Sequence, residues 1–225
     1  MAKIKIIQSP DSTHPFAVIY KQSSLASAPL KHGDDSALTQ AINLFPELKN
    51  VKGKKEVEHG LLHRIDNATS GLLLIASTQK AYEEIQEQQE TGRFMKYYRA
   101  IVEYEGEVQN REFTISSRFR TFGPKGSKVM AVFEDSNPAS QKKAGKKIYT
   151  TKVEIEGKNA ICCIERGFRH QVRVHLASSG FCIKGDPLYN PKAKKGDKFY
   201  FEAFKIEFIN PSTKEKMVYE CSESF

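Results

Sequence analysis

The segment from His63 to Leu74, HRIDNATSGLLL, constrains the fold of this chain more than any other. It starts with charged residues, passes through Asn, Thr, Ser and Gly, which are typical of a turn, and ends in an apolar run typical of a buried strand. A polar turn at the edge of a strand holds its side chains rigidly at a cleft, so Asp66 is a candidate site residue. The alternative is that Asp66 caps the turn by accepting backbone N–H bonds from Ala68 or Thr69.

Extended and helical patterns alternate around this segment. Ser36 and Thr78 are predicted to cap helices, the second of which ends near Gly92. A third helix is predicted over residues 169–179, with Gly180 after its end. Strands are predicted at residues 16–20, 71–76, 97–103, within 113–133, and at 148–155, 159–165, 199–209 and 217–220. These elements predict an α+β protein with a large, mostly antiparallel sheet and a few helices packed on it.

Length and composition predict a globular protein. The chain has 225 residues, of which 39% are hydrophobic and 28% charged. We expect residues 1–225 to form a single domain of one lobe or two, since no linker or repeat divides them. No apolar run approaches the roughly 20 residues needed to cross a bilayer, and the N-terminus becomes polar too early for a signal peptide. A cytoplasmic protein that does not bind membranes is expected.

The four cysteines do not follow the spacing of a zinc site or a disulfide framework. Cys162 and Cys163 are adjacent within an apolar stretch, which is typical of a strand in a reduced protein. His170 and His175 have no third ligand nearby in the sequence. We therefore expect no metal.

The basic residues predict a nucleic-acid partner. The formal net charge is +8, and the excess occurs in short groups separated by glycine, proline or small polar residues, which places them on loops. Several basic loops on one face would contact a phosphate backbone, whereas solvated loops selected for solubility are the alternative. The groups are Lys52, Lys54 and Lys55; Lys125 and Lys128; Lys142, Lys143, Lys146 and Lys147; and Lys192, Lys194, Lys195 and Lys198.

Two further segments place polar residues on regular elements. In GFRHQVRVHL, residues 167–176, a helix would bring Arg169 and Arg173 onto one face, where they repel each other unless a carboxylate or phosphate lies near. In KYYRAIV, residues 96–102, a strand would point Tyr97 and Tyr98 to opposite faces. One tyrosine ring would then be available to stack on a base, although both are ordinary residues for a strand.

Together these segments resemble the RluA-type pseudouridine synthases. That family carries HRLDxxTSGLLL, KxYxAxV, RxHQIRxH and GDxxY in this order. The present chain has HRID with TSGLLL at 63–74, KYYRAIV at 96–102, HQVRVH at 170–175 and GDPLY at 185–189. The similarity extends from about Phe16 to Pro211, nearly the whole chain.

The resemblance implies a pseudouridine-synthase fold, in which a long mixed sheet has a central cleft between two lobes. It implies an RNA pseudouridine synthase that needs no cofactor and modifies uridines in structured RNA, ribosomal or transfer. Asp66 matches the essential aspartate, Tyr98 the tyrosine of the cleft, and Arg173 the arginine paired with the aspartate. Residues predicted to contact RNA are Arg64, which matches an arginine used in displacing the target base, His63, Arg169, His170 and the lysines at 142, 143, 146 and 147.

Two other functions fit these residues less well. A non-catalytic RNA-binding protein would not need Asp66, Tyr98 and Arg173 together. A glycosidase with paired carboxylates lacks a second acidic residue in a suitable motif. We expect a monomer without a separate RNA-binding domain of the S4 type, so the segment Lys125–Lys147 is the leading candidate for substrate recognition.

Overall fold

The computed structural model describes residues 4–107 and 110–222, and of Lys125 only the backbone. Two compact units are present: described residues 4–96 and 202–222 form the first unit, and 97–107 and 110–201 form the second. The strands are β1 Ile4–Gln8, β2 Phe16–Lys21, β3 Ser70–Ala76, β4 Met95–Glu103, β5 Arg111–Phe122, β6 Lys128–Val132, β7 Tyr149–Glu156, β8 Asn159–Ile164, β9 Cys182–Ile183, β10 Phe201–Ile209 and β11 Lys216–Glu220. The α-helices are α1 Ala37–Leu44, α2 Gln79–Glu90, α3 Pro138–Lys143 and α4 Gln171–Ser178.

The first unit contains a sheet in the order β1, β2, β3, β10, with β11 on the other side of β10. All of these neighbours are antiparallel except β3 and β10, which are parallel. β2 and β3 are buried almost throughout, as their continuous apolar sequences predict. Phe16, Phe94 and Phe208 pack edge to face beneath the sheet and form the centre of the core.

Helices α1 and α2 begin where their capping residues predict. The Ser36 hydroxyl accepts a hydrogen bond from the backbone N–H of Thr39, and the Thr39 hydroxyl accepts from the N–H of Ser36. This reciprocal arrangement satisfies two of the free N–H groups at the start of α1. Thr78 caps α2 in the same way through the N–H of Ala81.

The second unit contains the order β4, β8, β7, β5, β6, with β9 paired to β4. β5 is twelve residues long and pairs with β7 along one part and β6 along another. Helix α4 contacts β6, and Val174 packs with Phe119 and Val129 in a small core. This packing holds one face of α4 inside the unit.

The α+β class and the mostly antiparallel strands are confirmed, whereas the predicted cleft between lobes stays a prediction. Two predictions are wrong. Arg169 and Arg173 do not share a helical face, because α4 begins only at Gln171 and Arg169 lies in the exposed turn before it. Lys142 and Lys143 lie in the last turn of α3 and not on a loop. Within the described residues, no helix is long and apolar enough to span a membrane.

Candidate active site

Asp66 lies in a tight turn that leads directly into β3. The turn is closed by the backbone N–H of Thr69, which donates to the backbone carbonyl of Asp66 at 3.0 Å. Asp66 is half-buried, while the following Asn67 and Ala68 are exposed. The main chain of Asp66 is therefore part of a hydrogen-bonded turn, as the polar residues before the apolar strand predict.

The chain on both sides of Asp66 is held by the segment that follows β2. On one side, the buried Ser27 hydroxyl donates to the carbonyl of Ile65 at 2.8 Å and accepts from the N–H of Ile65 at 3.1 Å. On the other side, the N–H of Ser24 donates to the carbonyl of Asn67 at 2.7 Å. These bonds fix the peptide group before Asp66 and the one that follows Asn67.

Lys21 reinforces this segment from inside the protein. Its side chain is fully buried, and its ammonium donates to the backbone carbonyls of Leu25, Gln22 and Asn67 at 2.8, 3.1 and 3.3 Å. Burial lowers the pKa of Lys21 to about 8, while the negative charge of Asp66 nearby opposes this shift. The ammonium of Lys21 is therefore held inside the first unit and does not extend into solvent.

Gly71 allows β3 to approach β10 closely. Its φ is 138°, and a Cβ atom at this position would lie 2.3 Å from the carbonyl oxygen of Ala203. Gly71 and Ala203 are register partners in the parallel pair of β3 and β10. The glycine that follows the Asp66 turn is required because any side chain would push these two strands apart.

His63 and Arg64, the two residues predicted to contact RNA from this segment, differ in their surroundings. The His63 ring packs against Phe94, and its Nε2 accepts from the N–H of Leu74 at 3.3 Å. Burial, assisted by the positive charge of Lys96, lowers the pKa of His63 to about 3, so the ring is neutral. Arg64 is exposed and forms an ion pair with Glu58 at 3.1 Å. The position of Arg64 supports contact with RNA, whereas that of His63 supports a structural role.

Tyr98 lies in β4 within the second unit. It is 8% exposed, and its ring stacks on Phe201 with a centroid distance of 5.3 Å and an angle of 11°. Phe201 in turn contacts Phe199, whose ring lies 5.2 Å from the guanidinium carbon of Arg173. A chain of ring contacts therefore connects Tyr98 with Arg173.

Arg173 is held on several sides inside the second unit. Its Nε and Nη2 donate to the two carboxylate oxygens of Asp186 at 2.8 and 2.7 Å, and both side chains are almost completely buried. The guanidinium carbon also lies 5.2 Å from the centre of the Tyr189 ring and the same distance from that of Phe199. Bidentate hydrogen bonds and two aromatic neighbours fix the orientation of this arginine.

The GDPLY turn places Asp186 and Tyr189 beside Arg173. Gly185 has a φ of 74°, and a Cβ atom there would lie 1.9 Å from the carbonyl oxygen of Lys198. Oδ1 of Asp186 also accepts from the N–H groups of Leu188 and Tyr189, at 2.9 and 3.2 Å. Asp186 therefore stabilises the turn and binds Arg173 with the same carboxylate.

The remaining predicted RNA contacts in the second unit lie on different elements. His170 precedes α4 with a positive φ of 59°, and its Nδ1 lies 2.7 Å from the Tyr189 hydroxyl. That hydroxyl also accepts from the N–H of Val129 in β6, which ties β6 to the start of α4. Arg169 is exposed, and its side chain donates to the carbonyl of Gly126. The side chains of the four lysines at 142, 143, 146 and 147 are all exposed.

Three residues that sequence reasoning did not assign hold the candidate residues in place within each unit: Lys21 and Ser27 beside Asp66, and Asp186 beside Arg173. The repulsion expected at Arg173 indicated that a carboxylate was needed, and GDPLY contained one, but its sequence position did not connect the two. No sequence signal distinguished Ser27 from a loop serine. An open cavity of about 510 Å³ in the second unit, lined in part by Arg111 and Phe181, contains none of the predicted site residues. Across the described residues, no three His, Cys, Asp or Glu side chains are grouped as metal ligands.

The sequence matches a known family and several of its members. The profile of the family described as RNA pseudouridylate synthase matches residues 15–178, a span that includes Asp66, Tyr98 and Arg173. The chain is 29% identical over 213 residues to the uncharacterized RNA pseudouridine synthase YhcT of Bacillus subtilis (strain 168), an alignment covering 91% of this chain and 64% of that protein. It is 31% identical over 183 residues to ribosomal large subunit pseudouridine synthase D of Zymomonas mobilis, covering 79% and 54%.

The fold is similar to that of a solved human protein. Human RNA Pseudouridylate Synthase Domain Containing 1 superposes with a TM-score of 0.71 at 20% identity, over 98% of this chain and 83% of that one. This likeness supports the fold alone. The present chain spans about 40 to 66% of the length of four curated relatives that it matches, YhcT among them.

Proposed function

The chain belongs to the RNA pseudouridylate synthase family, and we propose that it isomerises selected uridines of structured RNA to pseudouridine, with Asp66 as the catalytic carboxylate. The observation that carries this proposal is the family match across the HRID segment, in a chain whose Asp66 turn is held rigidly on both sides. A catalytic group must be held in the productive geometry, and a turn fixed by buried hydrogen bonds provides this.

The reaction is an isomerisation, so the product contains the same atoms as the substrate and differs only in how they are bonded. The N1–C1′ glycosidic bond breaks, the uracil turns, and a C5–C1′ bond forms, while C5 loses a proton and N1 gains one. An ionised carboxylate serves this reaction in one of three ways: it attacks the ribose as a nucleophile, it attacks the base, or it stabilises the separated sugar. The reaction is redox-neutral, and the proposal requires no organic cofactor or metal.

Tyr98 and Arg173 are assigned supporting roles in this proposal. Tyr98 stacks on the uracil and assists removal of the C5 proton, and Arg173 pairs with the Asp66 carboxylate. The contacts of Arg173 with Asp186 and two aromatic rings support its role, because they hold the guanidinium in one orientation. A charged group that is fixed before the substrate arrives stabilises developing charge without reorganisation.

The exposed basic residues are assigned to RNA recognition. The target uridine must leave its stack, at a cost of a few kcal/mol, and Arg64 on the surface of the first unit is the candidate to fill its place. The four lysines around the end of α3 would contact phosphates. The substrate in this proposal is ribosomal or transfer RNA, and the enzyme acts in the cytoplasm as a monomer.

Mapping of pseudouridine tests the catalytic proposal directly. RNA that lacks its native modifications is incubated with the wild-type protein, with Asp66→Ala and with Asp66→Asn, and pseudouridine is located by carbodiimide labelling. New sites are expected with the wild-type protein and none with either variant, since the amide of Asn is not a nucleophilic carboxylate. If no protein produced a site while all three bound RNA, the non-catalytic RNA-binding function would replace this one.

The role of the four lysines in and directly after α3 is tested by the salt dependence of RNA binding. Replacing Lys142, Lys143, Lys146 and Lys147 with Ala is expected to weaken binding and to flatten the plot of log affinity against log salt, by up to about 3 in slope. Replacing Lys192, Lys194, Lys195 and Lys198 gives a variant with the same change in net charge. Equal effects of the two changes would show that only net charge matters and would remove α3 from the proposed interface.

A further inference from the structure

In the segment between β2 and α1, the buried side chain of Ser27 contacts Ile65, the residue directly before Asp66. Ser27 is 4% exposed, and its hydroxyl uses both its hydrogen and a lone pair on the same neighbour, Ile65. The two hydrogen bonds satisfy the carbonyl and the N–H of Ile65, which is also buried. The carbonyl of Ile65 belongs to the peptide bond that carries the nitrogen of Asp66, so Ser27 acts on the main chain of Asp66 itself.

The position of Ser27 is itself fixed by helix α1. The N–H groups of Ala37 and Leu38, in the first turn of α1, donate to the carbonyls of Ala26 and Ser27 at 2.8 and 3.2 Å. The capped start of α1 therefore holds the backbone of Ser27, and the Ser27 side chain holds the backbone of Ile65. This series of bonds runs from a regular helix to the peptide group before Asp66 through one hydroxyl group.

We propose that Ser27 is a positioning residue for the reaction, whose hydroxyl fixes the peptide group before Asp66 and so directs the Asp66 carboxylate. This inference rests on the proposed function, in which Asp66 is the catalytic group. Hydrogen bonds of a buried hydroxyl to both polar groups of one residue restrict the orientation of the adjoining peptide group. A displacement of the carboxylate by about 1 Å is enough to lower a rate about 100-fold.

The test separates positioning from simple loss of stability. Tritium release from transcripts that contain [5-³H]uridine measures turnover, because C5 loses its hydrogen in the reaction. An unmodified pool of ribosomal and transfer RNA transcripts is the substrate. Ser27→Ala is expected to lower kcat about 10- to 100-fold with KM changed less than twofold, since RNA contacts stay intact. Ser27→Cys, whose thiol is a weak donor and acceptor, is expected to restore part of kcat.

Thr78→Ala is the matched control. It removes one hydroxyl that accepts from a backbone N–H at the start of α2, so it affects stability without altering the Asp66 turn. Its kcat and KM are expected to equal those of the wild-type protein at a temperature where circular dichroism shows all variants folded. If Ser27→Ala is unfolded there, Ser27→Cys provides the comparison.

Three outcomes overturn the proposal, and they are distinguishable. If the wild-type protein releases tritium and the folded Ser27 variants release it with the same kcat, Ser27 is only structural and the proposed function stands. If the wild-type protein releases no tritium from any transcript, the proposed function fails and the assignment of Ser27 fails with it. A lower kcat for both Ser27→Ala and Thr78→Ala would also refute positioning, because stability alone would then explain the loss.

Discussion

The buried pair of Arg173 and Asp186 provides the sharpest prediction about stability. In Asp186→Asn the side chain keeps its size, but one of the two oxygens that accept from Arg173 becomes an NH₂ group. If the remaining oxygen faces the N–H groups of Leu188 and Tyr189, the new NH₂ meets an Arg173 donor with no acceptor between them. The guanidinium, which is 3% exposed, then loses the carboxylate that binds it through two hydrogen bonds.

Removing one partner of a buried ion pair costs about 3–5 kcal/mol, and we expect a loss of this size in the free energy of unfolding of Asp186→Asn. Equilibrium unfolding in urea measures it, followed by circular dichroism and by tyrosine fluorescence because the chain has no tryptophan. Agreement of the two probes checks that one transition is observed. Asp197→Asn, at an exposed position, is the control and is expected to change the free energy by less than about 0.5 kcal/mol.

A loss below about 1 kcal/mol for Asp186→Asn would refute this reasoning, because Arg173 would then be stabilised mainly by other contacts. A second variant tests the cause. Replacing both residues, Arg173→Met with Asp186→Leu, also removes the buried guanidinium. The double variant is therefore expected to be more stable than Asp186→Leu alone. The reverse order would mean that the cost arises from the turn and not from the buried guanidinium.

Three further predictions concern stability. Burial lowers the pKa of His175 to about 4, so its stabilising contribution is complete above about pH 6.5 and is lost as the pH falls towards 4. Free energies of unfolding from urea titrations between pH 4 and 7 should fall, and the fall should be smaller by up to about 3 kcal/mol in His175→Gln, while His63, whose pKa is also lowered by burial, causes a fall in both proteins. Lys21→Met removes the ammonium that donates to three backbone carbonyls, which should cost about 1–3 kcal/mol at pH 7. Since the pKa of Lys21 is lowered to about 8, this group adds stability as the pH rises from 8 to 10.5, and urea titrations at both pH values should show the difference in the free energy of unfolding between the wild type and Lys21→Met shift in favour of the wild type. Gly71→Ala should lose at least about 2 kcal/mol in thermal or urea unfolding because its Cβ would collide with the backbone of β10, whereas Gly157→Ala, which also has a positive φ but open space around it, should lose about 1 kcal/mol.

Much of the secondary structure was predictable because its signals are local. Ser36 and Thr78 mark the first residues of α1 and α2 through hydrogen bonds to N–H groups three residues away. The apolar runs of β2 and β3 predict buried strands without knowledge of their neighbours. The boundary of α4 was predicted two residues too early, because Arg169 and His170 fit a helical pattern but lie in a turn in which His170 has a positive φ.

For the candidate site, the sequence by itself determined which chemical groups are available. The motifs identify Asp66, Tyr98 and Arg173, and they predict a turn before β3 and a strand for Tyr98. Only the tertiary structure decided how these groups are held. The partners of Asp66 and Arg173 come from segments distant along the chain or have no distinctive pattern: Ser27 lies 38 positions before Ile65, and Asp186 lies 13 positions after Arg173. Such contacts depend on how the strands and helices pack, and a serine hydroxyl or a carboxylate becomes significant only when burial removes water as its alternative partner.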